Sequence, residues 1–532
     1  MAAGSVRQVR WRTSSAALLA GGLPVLVFPR IDLGWLAWVV LTPWLALIRS
    51  AAPANEPSAT CGRRWADTLR AWRAPALIGW LGGAGYTLAS EYWLAPNLTV
   101  FFPVAAAIVG AVWAPWAVLT SRMLARATTP TGAVRALIIV PAGWMLVEAA
   151  RSWPVLGGPW NPLGASQWQH PAQLGLAAIG AVWLVGAAVV AVNTGVLLLV
   201  AGSSRTARAL AALVIVLALV AGPCWFALHK PNGSGTARIA LIQPGLTPPD
   251  PARRLDASAA LSANLALSAA ATRPDLVVWG ESSVGYDLDS HPQILARLTA
   301  LSHTMRAPLL VDVDATRPDG SIAKVSVLLD AHGIVGQYAK TRLVPFGEYI
   351  PLRPLLGWLH LVSKAAPVNR TKGTGLTVLT ASGIRFGPLT CFESSFPDMA
   401  RTVALRGAQL IVYQSSTSSF QGSYAQEQQA ALLAVRAAET GRPVVQAALT
   451  GDSTAYDAAG RRIAILPSTA RQSLTVTVPL ATSDTPYDRF GNTLLLAPLL
   501  IVAAAIVDEW RRSAKAHSRI RSAEALPSKA VT

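Results

Sequence analysis

Three short segments of this 532-residue chain place a reactive side chain at or just beyond the end of an apolar stretch: Glu281, Lys340 and Cys391. A thiol with a pKa of about 8.5 is mostly protonated at neutral pH, so a nucleophilic cysteine needs a base and a positive neighbour. Glu281 could take the thiol proton, and Lys340 could stabilise the thiolate and then a tetrahedral oxyanion. These residue types indicate covalent catalysis through Cys391.

Each of these residues also has an ordinary structural interpretation. A lone cysteine at a strand end is usually a small core residue. A glutamate after an apolar strand is usually a solvated turn or a helix cap, and a lone lysine is usually a surface charge. The spacing of the three residues therefore does not decide between structure and chemistry.

Short β-rich runs recur between residues 230 and 489, with Ala/Leu-rich helical stretches between several of them. The predicted strands are 238–243, 275–279, 308–312, 325–330, 387–391, 408–413, 443–448 and 473–478, and two predicted helices are 257–271 and 424–440. Strands mixed with helices favour a layered α/β domain whose sheets are covered by helices. In such folds the strand ends commonly present the catalytic groups.

The rest of the chain has a different composition. Hydrophobic residues make up 52% of the sequence and charged residues only 14%, whereas soluble domains are typically about 25% charged. Eight apolar runs, most of them near the roughly 20 residues that cross a bilayer, lie at residues 14–29, 33–48, 74–95, 101–120, 136–150, 174–201, 210–228 and 493–507. We expect a transmembrane domain at 1–229 with about seven spans, a last span at 490–509, and a basic, disordered tail at 510–532.

The basic residues predict the orientation. Arginines and lysines cluster before the first run, in 49–73, 122–135 and 205–208, and after the last run in 511–521. With eight spans, all five segments fall on one side, which the positive-inside rule makes cytoplasmic. Segment 151–173 and the domain at 230–489 are then extracytoplasmic.

The net charge of +18 is concentrated in these loops. No basic stripe with interleaved aromatic residues is present, so we do not expect nucleic-acid binding. The three cysteines lie far apart and the seven histidines have no ligand spacing, so neither a disulfide framework nor a metal site or cofactor is indicated.

Several longer motifs resemble a known family. They are Lys340 followed by Leu-Val-Pro-Phe-Gly-Glu at 343–348, Cys391-Phe392-Glu393, and the segments 437–443 and 485–492. The three reactive segments, in this order, resemble the Glu–Lys–Cys set of the carbon–nitrogen hydrolase (nitrilase) superfamily. With the spans before and after it, the whole chain is similar to the membrane members of that superfamily, the apolipoprotein N-acyltransferase family.

The resemblance implies a nitrilase-like four-layer α/β sandwich and a role for each matching residue. Glu281 is then the general base, Lys340 the electrostatic partner and Cys391 the nucleophile. Glu348 and Glu393 would orient Lys340 or the incoming amine. Lys340 and the backbone N–H of Phe392 would hold the oxyanion.

An outward loop at 158–164 also resembles a family loop beside the active site. Its Trp160 would contact the substrate or anchor the chain at the membrane interface, and the sequence leaves both interpretations open.

The chain departs from the family pattern at three places. Lys324-Val325-Ser326 stands where the family often has Tyr-Asn, Phe392 replaces a usual Tyr, and segment 414–422 replaces an Asn-Asp-x-Trp-Phe-Gly loop. The three reactive residues are untouched, so the implied chemistry stands, whereas the family's substrate-docking contacts do not carry over to 414–422.

The resemblance implies a two-step reaction in a bacterial cell membrane. A membrane phospholipid donates an acyl chain to Cys391, and the N-terminal amine of diacylglyceryl-cysteine on an apolipoprotein accepts it. Alternatives are a membrane-tethered amidase or nitrilase and a catalytically idle scaffold. The apolar segments 152–168 and 355–362 favour the acyltransferase, and the intact reactive residues count against a scaffold. Segment 355–362 could cover the site or be a surface helix.

Overall fold

The N-terminal half is helical because its apolar runs are long and uninterrupted. The structure is a computed structural model that describes residues 2–52, 64–154, 158–201, 204–245, 256–363 and 366–524. Its first eleven α-helices are α1 Ala2–Gly22, α2 Ala37–Val40, α3 Thr42–Ser50, α4 Arg64–Ser90, α5 Ala95–Leu98, α6 Phe102–Gly110, α7 Trp113–Ala125, α8 Pro130–Arg151, α9 Pro171–Leu174, α10 Ala177–Val200 and α11 Arg205–Leu228.

Side-chain caps begin two of the long helices. Thr129 accepts a hydrogen bond from Gly132 N at the start of α8, and Ser204 accepts one from Ala207 N at the start of α11. Such caps satisfy backbone N–H groups that have no partner inside the helix. Helix α4 packs closely on α1, where a Cβ added to Gly85 would lie 2.0 Å from Leu18 O.

Several helices are long and apolar enough to cross a membrane. Among the described residues they are Tyr92–Gly110, Pro130–Arg151, Ala177–Val200, Arg205–Leu228 and Pro486–Arg512. Shorter apolar helices at Arg12–Val27 and Gly34–Ser50 coincide with the first two predicted runs. A multi-helix apolar domain is therefore confirmed, and the number of eight spans stays a prediction.

The described residues of the second half form two six-stranded sheets. The strands are β1 Gly233–Gln243, β2 Leu276–Trp279, β3 Leu309–Thr316, β4 Ile322–Asp330, β5 Gly333–Ala339, β6 Leu379–Ala381, β7 Ile384–Thr390, β8 Leu410–Ser415, β9 Val444–Ala448, β10 Ser453–Tyr456, β11 Arg462–Leu466 and β12 Gln472–Ala481. The sheet orders are β12-β1-β2-β3-β4-β5 and β11-β10-β9-β8-β7-β6. All eight predicted strands are confirmed, while β5, β6, β10 and β11 were not predicted.

The two sheets face each other across an apolar core that includes Ile239 and Val278 on one side and Phe386 and Val412 on the other. Helices cover both outer faces: α12 Ala257–Ser268 and α13 Pro292–Met305 on the first sheet, α16 Pro397–Leu405 and α17 Ala425–Thr440 on the second. This helix–sheet–sheet–helix order confirms the layered α/β domain. The remaining helices are α14 Arg353–Leu356, α15 Leu359–Val362, α18 Pro486–Phe490 and α19 Leu496–Glu524.

The predicted disorder after Glu509 is wrong as far as Glu524, because α19 continues as one helix to that residue. Its Asp508 and Glu509 form ion pairs with Arg135 and Arg126 of the membrane domain. These pairs bind the helix to its neighbours where the sequence becomes polar. Residues 525–532 lie outside the described part of the chain.

The two domains meet at a break in α10. Gly180 and Ala181 have non-helical backbone angles there, so the chain presents an N–H that no helical carbonyl satisfies. Glu439 of α17 accepts that hydrogen bond from Val182 N at 2.8 Å. Its carboxylate also lies 3.1 Å from the Arg436 guanidinium, and both side chains are fully buried.

We predict that Glu439→Ala destabilises the protein strongly. The change leaves Arg436 as a buried unpaired cation, which costs about 3–5 kcal/mol, and a membrane-domain N–H without its acceptor. Thermal unfolding in detergent should show a clear fall in melting temperature. As a matched control, Arg512→Gln, which removes only the half-exposed pair with Asp508, should change stability by less than about 1 kcal/mol. Equal shifts for both variants would contradict the prediction.

Candidate active site

The ends of three strands bring the reactive residues together. Glu281 follows β2, Lys340 follows β5 and Cys391 follows β7. Cys391 has φ +44°, in the left-handed region that non-glycine residues rarely occupy. Backbone strain of this kind is concentrated at functional sites, where surrounding structure holds it in place.

The two sheets touch directly at this edge. Glu281 N donates to Ser415 O at 3.1 Å, and Gln414 donates to Trp279 O at 2.9 Å. A Cβ on Gly280 would lie only 2.0 Å from Leu449 N, so glycine permits the approach. Glu281, at the end of a strand of the first sheet, therefore lies beside the segment of the second sheet that carries Cys391.

Glu281 and Lys340 are part of a ring of alternating charges. The Lys340 ammonium lies 3.1 Å from Glu281 Oε1 and 2.9 Å from Glu348 Oε1. A second ammonium, Lys324, lies 2.6 Å from the same Glu281 oxygen and 3.5 Å from the same Glu348 oxygen. We call these four residues the charge square. Asp314, 3.7 Å from Lys324 and paired with Arg370, extends it on one side.

The second oxygen of Glu281 faces the residues around Cys391. Ser416 N donates to Glu281 Oε2 at 3.1 Å, and Ser416 O lies 4.0 Å from Cys391 Sγ. Gln429 of α17 donates to Sγ at 3.5 Å while it accepts from Ser415 Oγ at 2.8 Å. Glu281 and Cys391 are thus connected through Ser416, and the Gln429 amide contacts the sulfur.

Burial and charge set the protonation states. Burial alone would raise the pKa of Glu281, but the Lys324 and Lys340 ammonium groups outweigh it and lower that pKa to about 2. Burial and the Glu281 carboxylate together raise the pKa of the Cys391 thiol to about 12. The resting site therefore holds a neutral thiol beside a charged carboxylate.

Glu348 positions Lys340. One of its oxygens accepts from the Lys340 ammonium and the other accepts from Val344 N at 2.9 Å. The Glu348 carboxylate thus holds both Lys340 and Val344, and fixes the conformation of the loop at 340–348. The orienting role that the resemblance implied for Glu348 stays a prediction, for which this contact supplies the geometry.

Glu393 contacts backbone and hydroxyl groups rather than Lys340. One of its oxygens accepts from Tyr338 Oη, Thr341 N and Arg342 N at 2.7–3.0 Å. The other accepts from Thr390 N at 2.8 Å, which completes a capping box at the turn Cys391–Ser395. A fully buried carboxylate with both oxygens engaged fastens the Lys340 segment to the Cys391 turn.

Phe392 lies in the first turn of the 3-10 helix Cys391–Ser395, and its ring packs edge-on against Phe396. Backbone N–H groups in a first helical turn have no partner within the helix, so the Phe392 N–H is suited to an oxyanion. Trp160 is buried and packs against Trp93 and Phe420, with ring centroids 4.8 and 6.3 Å away. Trp160 thus joins the membrane domain to segment 414–422.

Sequence reasoning did not assign a role to Lys324, Ser416 or Gln429. Lys324 and Ser416 lay in segments noted only as departures from the family pattern, and Gln429 lay in a predicted helix. No sequence signal connects these positions, because they come together only across the sheets. Within the described ranges, no group of three His, Cys, Asp or Glu side chains is arranged to hold a metal.

Comparison with known proteins gives two adjoining family matches. Residues 20–195 match the apolipoprotein N-acyltransferase N-terminal domain, and residues 238–486 match the carbon-nitrogen hydrolase family. Among solved structures, an amidase from Nesterenkonia sp. is similar at 22% identity, covering 51% of this chain and 98% of that chain with a TM-score of 0.35.

Full-length relatives extend the match across both domains. The apolipoprotein N-acyltransferase of Geobacter metallireducens is 27% identical, covering 94% of this chain and 96% of the relative. That of Sinorhizobium medicae is 30% identical, covering 91% of this chain and 94% of the relative. With its apolar helical half and its carbon–nitrogen hydrolase half both matched, this chain belongs to the apolipoprotein N-acyltransferase family.

Proposed function

We propose that this chain transfers an acyl chain from a membrane phospholipid, through a thioester on Cys391, to the N-terminal amine of diacylglyceryl-cysteine on apolipoproteins. Family membership supports lipoprotein N-acylation, and the site supports the route through Cys391. The enzyme then acts in the bacterial cell membrane, where both substrates are anchored.

The direct packing of the nucleophile's surroundings on the membrane domain is the observation that carries the proposal. Gln428 of α17 accepts from Trp93 Nε1 and donates to Ser90 O, both at 3.0 Å. The next residue, Gln429, contacts Cys391 Sγ. A soluble amide would reach the cysteine without such a junction, whereas a lipid substrate needs a site that adjoins the bilayer.

In the first step, Cys391 Sγ attacks the carbonyl carbon of the phospholipid ester, and its proton passes to Glu281 as the C–S bond forms. Lys340 and the Phe392 N–H stabilise the oxyanion, because they are preorganised donors in a site with little water. The ester C–O bond then breaks, and Glu281 returns the proton to the departing lysophospholipid oxygen. The acyl chain remains on Cys391 as a thioester.

In the second step, the free amine of diacylglyceryl-cysteine attacks the thioester carbon. Glu281 takes a proton from the amine, the C–N bond forms and the C–S bond breaks. The same proton restores the Cys391 thiol. Transfer to an amine rather than to water requires that the closed site exclude water and hold the amine in place.

Segment 355–362 is our candidate for the cover that excludes water. Leu355, Trp358 and Leu361 are 51–75% exposed, an unusual state for large apolar side chains. The Trp358 ring lies 5.8 Å from that of Phe101 at the membrane domain. An apolar surface in this position is suited to contact the bilayer and the acyl chains of the substrates.

We predict that Cys391 carries the acyl chain. Intact-mass analysis after exposure to phospholipid should show an acyl-sized increase on Cys391 that neutral hydroxylamine removes, because thioesters are labile to it. Cys391→Ser should be inactive, since an alcohol is far harder to ionise than a thiol. Cys224→Ala, at an exposed cysteine of α11, is the matched control and should retain the adduct. Full turnover by Cys391→Ala would end the proposal.

We predict that the acceptor is a primary amine. Enzyme and phospholipid should add a third acyl chain to a diacylglyceryl-cysteine peptide, as an amide that survives hydroxylamine. The same peptide with an acetylated N-terminus should receive none, because it lacks the nucleophile. Equal release of free fatty acid with and without the peptide would favour a hydrolase instead.

We also propose that the catalytic domain faces outward, as the basic loops indicate. In a variant without native cysteines, Ser234→Cys in β1 should react with a membrane-impermeant thiol reagent on intact cells. Thr128→Cys, between α7 and α8, should react only after permeabilisation. Both positions are exposed, so access to the reagent depends on the side of the membrane. The reverse labelling pattern would invert the topology.

A further inference from the structure

The active site contains a second lysine that the proposed mechanism does not use. Lys324 lies on β4 directly opposite Asp314 of β3. Its ammonium is closer to Glu281 Oε1 than that of Lys340, at 2.6 against 3.1 Å. The side chain is 10% exposed, so its charge is nearly as buried as that of Lys340.

The two ammonium groups share the same carboxylate oxygen. Both contact Oε1 of Glu281, while Oε2 accepts from Ser416 N on the side of Cys391. Oε1 is thereby saturated with cationic donors, and the carboxylate is held so that Oε2 remains to receive a proton. Charge-assisted hydrogen bonds of this kind are the stronger class in proteins.

We infer that Lys324 is a positioning residue of this enzyme, which clamps Glu281 together with Lys340 and keeps Glu281 charged, and able to take the Cys391 proton, in acidic surroundings. This inference rests on the proposed function, because it assigns Lys324 to the thioester-forming step. It adds to the three reactive residues a fourth that does not touch the substrate.

Several charged or titratable side chains besides Lys324 surround Glu281. The cations around Glu281 are Lys324, Lys340 and Arg370, and the acidic groups are Asp312, Asp314, Glu348 and the Cys391 thiol. Arg370 pairs with Asp314, so it does not replace Lys324 at Glu281. Burial raises the pKa of Asp312 to about 7, so Asp312 is a second group that could change charge in the working range.

The direction of the effect follows from the charges. A carboxylate whose pKa is lowered stays ionised further into acid, so wild-type Glu281 remains a base at pH 5. Without Lys324, burial and the carboxylates of Asp314 and Glu348 raise the pKa of Glu281. Glu281 then becomes protonated as the pH falls, and thioester formation slows from the acid side first.

The test is the rate of thioester formation on Cys391 in a single turnover with phospholipid at pH 5 and pH 8. This step involves no acceptor amine, so titration of an amine does not enter. We expect the ratio of the pH 5 rate to the pH 8 rate to be at least tenfold lower in Lys324→Met than in wild type. Lys324→Arg, which keeps the charge, should restore the wild-type ratio.

Two controls isolate Glu281. Lys372→Met removes an exposed lysine of the same domain and should leave the ratio unchanged. The comparison of Lys324→Met with wild type, repeated in an Asp312→Asn background, removes the second titrating group and should give the same tenfold difference. If Lys324→Met has the wild-type ratio, the inference is overturned. It is also overturned if Lys324→Arg lowers the ratio as much as Lys324→Met does.

Folding and the proposed function can be separated from this result. If Lys324→Met unfolds, Lys324→Gln, which removes the charge but keeps a hydrogen-bond donor beside Asp314, should show the same lowered ratio. The rate at which iodoacetamide alkylates Cys391 needs no phospholipid and should show the same dependence on Lys324. Absence of a thioester in wild type would contradict the proposed function, whereas unchanged alkylation ratios would contradict the role of Lys324.

Discussion

In the charge square, each of two ammonium groups lies 2.6–3.5 Å from each of two carboxylates, almost closed to water. Burying a single charge costs several kcal/mol unless an opposite charge and further hydrogen bonds offset it. Each member of the square is therefore stable there only because the others are present. The surrounding structure must hold four long side chains in one arrangement.

That requirement explains the buried groups around the square. Glu393 ties the Lys340 segment to the turn that carries Cys391, through hydrogen bonds from backbone groups of both. Asp314 and Arg370 hold the outer side of Lys324. Each chain segment that contributes to the site is thus fixed by backbone contacts before its side chain meets the substrate, which is how preorganised sites avoid reorganisation during reaction.

The resting protonation states also shape the mechanism. The thiol is neutral and the nearby carboxylate is a weak base, because Lys324 and Lys340 stabilise its charge. Transfer of the proton without attack on a carbonyl would leave a buried thiolate and a protonated Glu281. In the proposed mechanism, proton transfer therefore accompanies C–S bond formation, when the negative charge moves to an oxyanion near Lys340. In that mechanism the thiol reacts when an electrophile lies beside it, and it does not rest as a free thiolate.

The sequence by itself predicted most of the strands and, through the family resemblance, the residues proposed to react. Alternating and apolar runs located eight of the twelve strands in the described part of the chain, and the motifs around Lys340 and Cys391 indicated the family and its chemistry. Local patterns suffice for this, because strand propensity and short motifs depend on neighbouring residues. The missed strands are short or carry mixed polar residues, as in β6 and β11.

Only the tertiary structure decided which distant residues complete the site. Lys324 meets Glu281, 43 positions away, because β3 and β4 pair in a register that sets it opposite Asp314. Gln429 reaches Cys391 because α17 packs across the second sheet. A register shift of one residue would turn Lys324 to the other face of its sheet. The sequence therefore decides which side chains are available. The pairing of strands and the packing of helices decide which of them meet at Glu281 and Cys391.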